Sequence, residues 1–333
     1  MNIFEILIFS INSILPLILI IFTGYFLKVK GIINESFVKI GNKVVFKVCL
    51  PVLLFCNVVE IESLDGINVT SLCYVVAIIV LLLIVGFLIT LSVKEKDQKG
   101  VMLQCVFRSN FALIGVPLAE LIGGSAGVQA AALISVVSIP IYNILAVIVL
   151  TSFIGERKKG FLKSQLLAII KNPLIIGVVS GLIVLCIKVN LPAEFVTAFN
   201  NNLSFIPTAL KYLSRAATPL ALLVLGGQFE FSKVAGYKRQ IITGTLARTI
   251  LAPLIGIGIA AILQAMRVLY FEPATYAAFI ALFGTPVAVS SAIMAEAMNN
   301  DGQLASQLVV WTSIISMFTL FIFIFFSKML GLI

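Results

Sequence analysis

Long apolar runs separated by short polar segments follow one another along the whole chain. A helix needs about 20 mostly apolar residues to cross the hydrocarbon core of a bilayer. Windows of this kind recur at residues 4–27, 36–59, 69–93, 101–121, 127–153, 172–190, 206–229, 239–265, 273–297 and 303–329. The pattern therefore predicts an all-α polytopic membrane protein whose ten transmembrane helices lie in the lipid bilayer of the cell membrane.

The composition agrees with this prediction and narrows the classes of partner. Of the 333 residues, 61% are hydrophobic and only 11% are charged. The formal net charge is +9, but the basic residues fall in short segments between apolar runs rather than in one patch, so no nucleic-acid partner is predicted. Histidine is absent and the five cysteines form no CxxC pair, so neither a metal site nor another cofactor is predicted.

Charge differs between alternate loops. The loops after the first, third, fifth and seventh spans contain Lys28, Lys30, Lys94, Lys96, Lys99, Arg157, Lys158, Lys159, Lys163, Lys233, Lys238 and Arg239. The alternate loops contain mainly acids, at Glu60, Glu62, Asp65, Glu194 and Glu272. Because cytoplasmic loops have the excess of lysine and arginine, both termini are predicted to be extracytoplasmic. The first run has no basic segment before it and is predicted to be a retained span rather than a signal peptide.

The second half of the chain repeats features of the first. "FALIGVPLAELI" at 111–122 aligns with "IALFGTPVAVSS" at 280–291, and "KVVFKVCLP" at 43–51 aligns with "KYLSRAATP" at 211–219. The two prolines of each half are 66 residues apart in the first and 67 in the second. This predicts two five-span repeats, 1–155 and 172–333, joined by a short cytoplasmic linker, 156–171. An odd number of spans inverts the second repeat, as in many secondary transporters.

A glycine and a proline interrupt the fourth and ninth spans, within Gly115–Pro117 and Gly284–Pro286. A helix break in lipid leaves backbone groups without partners, which is tolerated only where protein or a water-filled cavity covers them. We therefore expect the two breaks to meet at equivalent points in the protein interior. Glycine is expected to supply the unwound backbone and proline to begin the next half-helix, with Thr285 capping the second. Ordinary proline kinks are the alternative interpretation.

The crossing of the broken spans is predicted to bind an anion. The half-helices that begin at Pro117 and Pro286 direct positive N-terminal ends and free N–H groups at the crossing point, which suits a carboxylate. The carbonyl ends of the preceding half-helices could hold a proton donor or a cation. Nearby polar side chains are candidate ligands, with ordinary interhelical hydrogen bonding as the alternative. The predicted substrate-binding residues are Asn110, Gly115, Val116, Pro117, Asn143, Gly284, Thr285, Pro286, Ser290 and Ser291.

Two pairs of cations lie within predicted spans. Lys43 and Lys47 are four residues apart in the second span, and Lys211 and Arg215 are four apart in the seventh. This spacing places each pair on one helix face. Because charge within a membrane is costly and commonly functional, we predict that the pairs form anion-attracting vestibules, one for each access route. Purely structural pairing is the alternative. Arg248 in the eighth span is a further candidate with no assigned partner.

Six stretches of the chain resemble the auxin efflux carrier family, which includes bacterial malate and malonate permeases and is related to plant PIN transporters. They are "LPVLLF" at 50–55, "SNFALIGVPLAE" at 109–120, "IPIYNILAV" at 139–147, "NPLIIG" at 172–177, "TPLALLVLGG" at 218–227 and "TPVAVSSAIMAE" at 285–296. The resemblance implies inverted five-helix repeats, broken helices 4 and 9 that cross at the substrate site, and elevator-type transport. Asn110 matches a family asparagine. Sodium-coupled bile-acid transporters share the fold, so the resemblance does not determine the coupling, and proton coupling, sodium coupling and uniport or exchange all stay open.

The leading interpretation is a secondary active transporter of small organic anions, such as malate, malonate or auxin-like acids. A bile-acid-like sodium symporter and a non-transporting membrane ligand sensor are the alternatives. Without histidine or a GxxxxGK[ST] motif, neither an intramembrane enzyme nor direct use of ATP is predicted. Glu120 and Glu296 are the acids near the broken spans, and either accept a coupling proton or are solvated loop-edge charges. A homodimer would supply the fixed scaffold that an elevator carrier needs.

Overall fold

Helices account for most of the residues that the computed structural model describes, which are 3–59, 69–154, 170–191, 203–230, 232 and 234–333. They are α1 Ile3–Val29, α2 Glu35–Val59, α3 Val69–Thr90, α4 Lys96–Phe107, α5 111–123, α6 125–152, α7 Pro173–Asn190, α8 Phe205–Gln228, α9 Lys238–Ala265, α10 Pro273–Gly284, α11 Ser290–Ala297 and α12 Gly302–Met329. Within those ranges one isolated bridge, Ser109 with Val287, is the only strand-like pairing.

Gly124 is the point at which α5 gives way to α6. Its backbone has φ 58° and ψ −147°, far from helical values, although the helical hydrogen bonding of Val116–Ser152 runs across it. A positive φ is readily adopted only by glycine, because any other residue places a Cβ atom too close to the backbone. The residue lies between the predicted spans at 101–121 and 127–153 and separates them.

Among the described residues, five helices are long and apolar enough to cross a membrane: Glu35–Val59, Val69–Thr90, Val116–Ser152, Lys238–Ala265 and Gly302–Met329. Shorter apolar helices occur at Ile18–Val29, Pro173–Lys188 and Pro273–Gly284. Large apolar side chains also lie exposed on the outer faces of the helices, as at Phe87, Ile183 and Phe318. A soluble protein rarely exposes so much apolar surface. The chain is therefore an all-α, multi-pass membrane protein, as predicted.

Part of the predicted organisation lies outside the described residues. Of the predicted linker, 156–171, only the last two positions are described. The loop charges used for the orientation that lie outside are Glu60, Glu62, Asp65, Arg157, Lys158, Lys159, Lys163, Glu194 and Lys233. The repeat boundaries and the extracytoplasmic termini stay predictions.

Helix α10 lies in the centre of the protein. Every residue from Tyr276 to Phe283 is fully buried, because α10 packs against α5, α6, α9 and α12. Its Phe279 ring lies 5.0 Å from the ring of Tyr74 on α3, centroid to centroid. A helix that is apolar on all sides belongs in a protein interior. The C-terminal end of α10, where the second predicted break occurs, is thus held away from lipid.

Three of the helical segments contain a π-helical turn, and in each a proline follows two residues after the turn ends. The pairs are Val45–Cys49 with Pro51, Phe111–Gly115 with Pro117, and Ala247–Leu251 with Pro253. Proline lacks an N–H group and its ring clashes with the carbonyl four residues earlier. The wider π turn displaces that carbonyl, so the helix continues through each proline.

Helices α1 and α8 approach each other closely at glycines. A methyl group at Gly226 would meet the backbone oxygen of Ile21, and one at Gly24 would meet the backbone oxygen of Leu223. Small residues allow two helix backbones to approach closely, and such close packing favours helix association in a membrane. The glycines therefore set the distance between α1 and α8.

Replacing Gly226 with alanine is expected to destabilise the protein by about 1–3 kcal/mol, because the added methyl group must push α1 and α8 apart. The matched control is Gly258→Ala on α9, where a methyl group would meet open space. That change is expected to stabilise the helix by up to about 1 kcal/mol through the helix propensity of alanine. Melting temperatures of the two variants in detergent check both expectations. Equal values would contradict the close approach of α1 and α8.

Candidate functional site

Two interruptions of helical structure lie against each other in the protein interior. The first break, residues 108–110, separates α4 from α5, and the second break, residues 285–289, separates α10 from α11. The backbone N–H of Asn110 donates to the carbonyl oxygen of Pro286 at 2.8 Å. Ser109 and Val287 form an antiparallel β-bridge. The two breaks are therefore held together through their backbones.

Other polar groups of the breaks also find partners within the protein. The N–H of Arg108 donates to the carbonyl oxygen of Gln104 at 2.9 Å, and the N–H of Val287 donates to Thr312 Oγ1 at 3.3 Å. The hydroxyl of Thr285 donates to the carbonyl oxygen of Ala281 at 3.0 Å. Non-helical backbone at membrane depth is tolerated only with such internal partners. The groups named here meet that requirement through other groups of the protein.

The first break does not lie where the sequence predicted it. Gly115 is helical, with φ −68° and ψ −47°, and Pro117 lies in the first turn of the α-helical part of α5. The unwound residues are instead Arg108–Asn110. The π turn before Pro117 accommodates the proline, so the proline does not open the helix. At these residues, the backbone N–H of Asn110 donates to Pro286 of the second break, and the Arg108 side chain donates to Ser290 at the start of α11.

The second break also differs from the prediction. Pro286 lies in the non-helical segment, and the next half-helix begins at Ser290 rather than at Pro286. Thr285 does not cap that helix, since its hydroxyl hydrogen-bonds back to α10. The two breaks are thus not at equivalent points relative to the matched prolines. A proline marks where a helix is weakened, whereas contacts between the breaks decide where each helix opens.

A cavity of about 90 Å³ lies beside the two breaks, and we call it the crossing cavity. Its polar lining residues are Asn57, Arg108, Ser109, Asn110, Tyr142, Asn143, Thr218 and Ser290. Much of its remaining wall is apolar and includes Leu50, Leu53, Leu54, Ile139 and Leu174. A single water needs roughly 10–15 Å³ of such space, so the cavity has room for several waters or a small ligand. None of the described residues that line it is acidic.

Arg108 is the charged side chain of the crossing cavity and is only 4% exposed. Its Nη2 donates to Asn143 Oδ1 and to Ser290 Oγ, each at 2.9 Å. Its Nη1 lies 3.5 Å from Gln104 Oε1 and also contacts the sulfur of Met294. Among the described residues, no carboxylate pairs with this guanidinium. Arg108 is a buried cation held by neutral groups.

Sequence reasoning missed Arg108, although a signal was present. The residue stands directly before "SNFALIGVP" in an otherwise apolar predicted span, and a charge inside a span is a functional-site hypothesis by default. The neighbouring Asn110 was predicted, and its side chain is buried with an Nδ2 group that has no hydrogen-bond partner in the described structure. The cavity is therefore lined by a cation and by an amide residue that has a buried, unpaired N–H donor.

Arg248 is fully buried and joins the carbonyl ends of α4 and α10. Its Nε donates to the oxygen of Thr285 at 2.9 Å, and its Nη1 donates to the oxygen of Val106 at 3.1 Å. Its Nη2 donates to the oxygens of Leu282 at 3.2 Å and Phe283 at 3.0 Å. Arg248 itself lies in the π turn of α9. The partner that the sequence did not reveal is thus a set of four backbone carbonyls.

The predicted substrate-binding residues divide into two groups. Asn110, Asn143 and Ser290 line the crossing cavity. Those that do not line it are Gly115, Val116, Pro117, Gly284, Thr285, Pro286 and Ser291. Thr285 and Pro286 still belong to the second break, where their carbonyl oxygens accept from Arg248 and Asn110 respectively.

The predicted vestibule cations lie apart from the crossing cavity. All four are exposed on α2 and α8: Lys43, Lys47, Lys211 and Arg215. Lys47 lines a separate surface pocket of about 340 Å³ between α2 and α7. Of the two predicted coupling acids, Glu120 is exposed and Glu296 accepts from Gln228 Nε2 at 2.9 Å. Their predicted roles stay predictions.

The amino-acid sequence is similar to that of known membrane proteins. The sequence matches the family described as membrane transport protein over residues 9–324. The chain belongs to this family. It is the family of the auxin efflux carriers, so the prediction made from the six sequence stretches is confirmed. The match spans both breaks and every described helix in whole or in part.

Two archaeal proteins that are similar in sequence to this membrane transport protein are also named as transporters. An uncharacterised transporter from Methanocaldococcus jannaschii is 30% identical over 222 residues, covering 65% of this chain and 67% of the relative. An uncharacterised transporter from Methanothermobacter thermautotrophicus is 25% identical over 324 residues, covering 93% of this chain and 96% of the relative. The protein is therefore a membrane transporter and not an enzyme.

A polar network joins α4, α9 and α12 of the transporter at the end predicted to be cytoplasmic. Gln98 Nε2 donates to Asp301 Oδ2 at 3.1 Å, and the hydroxyl of Tyr237 donates to Asp301 Oδ1 at 3.2 Å. Gln240 Nε2 donates to Gln98 Oε1 at 3.0 Å. Burial and the adjacent Asp301 carboxylate raise the pKa of Tyr237, so its phenol stays protonated and keeps donating. The network holds these helix ends together.

Asn143→Ala is expected to destabilise the transporter by about 1.5–3 kcal/mol, because the buried Arg108 guanidinium loses a hydrogen-bond acceptor. The matched control is Asn190→Ala, since Asn190 is exposed and its Nδ2 donates to a neighbouring backbone carbonyl. That change is expected to alter stability by less than about 0.5 kcal/mol. Melting temperatures in detergent separate the two variants. A control that melts as low as Asn143→Ala would contradict the importance of the Arg108 contact.

Proposed function

We propose that this membrane transport protein is a secondary carrier of small organic anions and binds its substrate in the crossing cavity. The observation on which the proposal depends is Arg108, a buried cation that lines the cavity without a carboxylate partner among the described residues. Its neutral partners are Asn143, Ser290 and Gln104. The family supports transport, and Arg108 supports an anion as the substrate.

The energetics of Arg108 favour an anionic ligand. Taking a charge out of water is costly unless the charge is paired and hydrogen-bonded. A carboxylate entering the cavity would supply the missing negative charge and accept charge-assisted hydrogen bonds from the planar guanidinium. The Nδ2 group of Asn110 is buried without a partner in the described structure, and a rotation of this side chain toward the cavity would let it donate a further hydrogen bond to the same ligand. Binding the anion would therefore supply partners to two groups that the described protein residues pair incompletely.

The rest of the cavity limits the size and polarity of the substrate. Leucine and isoleucine side chains from α2, α6 and α7 face the polar wall formed by the two breaks. Such a cavity suits a small molecule with its carboxylate at one end and its carbon skeleton against the apolar wall. Small carboxylates such as malate or malonate, and auxin-like acids, form the proposed substrate class.

We propose the inverted-repeat elevator as the wider architecture. The first repeat would comprise 1–155 and the second 172–333, with α4–α5 and α10–α11 as the broken, crossing helices. Contact between the two breaks supports this proposal, because inverted repeats bring broken helices together near the bilayer midplane. The crossing helices would move past a scaffold that exposes the cavity to each side in turn. A homodimer in the plasma membrane, with extracytoplasmic termini, would hold that scaffold still.

Arg108→Gln is expected to weaken the apparent affinity for an anionic substrate about 100-fold, since losing one partner of a buried, hydrogen-bonded charge pair costs about 2–5 kcal/mol. Counterflow of radiolabelled acids into liposomes that contain the purified protein measures this loss. Malate, malonate, other small carboxylates and indole acetate form the substrate panel. Neutral and cationic analogues test whether the charge is required.

The matched control for this experiment is Arg267→Gln, which removes an exposed cation beyond the end of α9. It is expected to keep the affinity of the unaltered protein. Arg108→Lys restores the charge without the planar fork and is expected to recover part of the affinity. If the unaltered protein moves none of the acids, or if Arg108→Gln moves them with unchanged affinity, the proposed function is wrong.

Lys47→Gln and Arg215→Gln are each expected to slow anion uptake at low salt by several-fold and to have little effect at high salt. The physical reason is that exposed cations raise the local concentration of anions through electrostatic attraction, which salt screens. Initial uptake rates at two ionic strengths check this expectation. Unchanged rates at low salt for both variants would refute the vestibules.

A further inference from the structure

We propose that Arg248 is a built-in cation at the crossing, and that it replaces a coupling sodium ion so that the carrier works without sodium. The inference rests on the proposed function in one respect, namely that the crossing is where the substrate is bound and moved. Its own evidence is separate, because Arg248 does not line the crossing cavity. It concerns the carbonyl ends of the half-helices that precede the two breaks.

The carbonyl ends of two half-helices converge on the Arg248 guanidinium. Val106 belongs to the last turn of α4, and Leu282 and Phe283 belong to the last turn of α10. Helix C-termini have partial negative charge and unpaired carbonyl groups. In secondary transporters with broken helices, such carbonyls are the groups that coordinate a coupling cation. Here all three oxygens, together with that of Thr285, already accept from Arg248 at distances of 2.9–3.2 Å.

Occupancy by the guanidinium leaves no role for a sodium ion at this position. The three guanidinium nitrogens all donate to these carbonyls, so the oxygens that sodium would need are engaged. The fixed positive charge would also repel a second cation at the same site. No group of three or more acidic, cysteine or histidine side chains that could hold a metal ion occurs among the described residues.

A purely structural cap and a replaced cation make different predictions. As a cap alone, Arg248 would affect stability, and its removal would not make the protein respond to sodium. As a replaced cation, its removal would leave a set of carbonyl oxygens that small cations stabilise. The response of the variant to added cations therefore distinguishes the two.

The first experiment uses the unaltered protein in liposomes, with sodium replaced by choline on both sides. Counterflow of the transported acid is expected to continue at an unchanged rate, and a sodium gradient is expected to cause no accumulation. Transport that stops in choline, or accumulation that follows the sodium gradient, would overturn the inference. The proposed substrate class would survive either result, so the two failures are distinguishable.

The second experiment compares Arg248→Ala with Arg248→Lys in detergent and in liposomes. Arg248→Ala is expected to lose transport about tenfold or more, because four carbonyl oxygens lose their donor. Sodium, measured against equal choline, is expected to raise the melting temperature of Arg248→Ala and not that of the unaltered protein, since a ligand that binds the folded state stabilises it. Millimolar guanidinium is expected to restore part of the transport.

Results with either Arg248 variant could overturn the inference. A folded Arg248→Ala that transports at the original rate, or that responds to neither sodium nor guanidinium, would overturn the inference. If Arg248→Ala does not fold, Arg248→Lys decides: it keeps a cation among the carbonyls and is expected to stay insensitive to sodium, so stimulation by sodium there would overturn it. The melting-temperature comparison remains decisive even if no tested acid is transported.

Discussion

Everything at the centre of this transporter depends on one constraint, that polar groups away from water must be paired within the protein. Breaking a helix in the membrane frees carbonyl and N–H groups. Here some of the freed groups of the two breaks hydrogen-bond to each other. Asn110 donates to Pro286 across the crossing, and the carbonyls that end α4 and α10 accept from Arg248. The breaks are stable as a pair, and neither would be stable alone in lipid.

The same constraint explains the different roles of the two buried arginines. Arg248 is enclosed by backbone oxygens that match its donors, so its charge is compensated by the ends of the helices. Arg108 has neutral side-chain partners and borders the crossing cavity, so its charge is compensated incompletely. The proposed anionic substrate would supply the counter-ion at this site. Under the two proposals, Arg108 would bind the anionic substrate and Arg248 would take the place of an added cation.

Some of this could be predicted from residue order alone. Apolar runs of membrane length indicated a polytopic helical protein, and the glycine-proline repeats indicated that two helices are interrupted. Asn110, Asn143 and Ser290 were candidates because amides and hydroxyls near an interruption tend to face other polar groups. The position of the first interruption was wrong by several residues, because π turns can absorb a proline and leave the helix intact, as at Pro117.

The sequence by itself determined the class of protein, since hydropathy is a local property that each segment has before it folds. It also determined which helices are weak, because proline and glycine act on their own backbone. Only the tertiary structure decided where those helices open and which charges become buried. Arg108 and Arg248 are 140 residues apart in the chain, and their roles depend on carbonyls, amides and hydroxyls contributed by other helices. Such long-range pairing has no signature in any one segment.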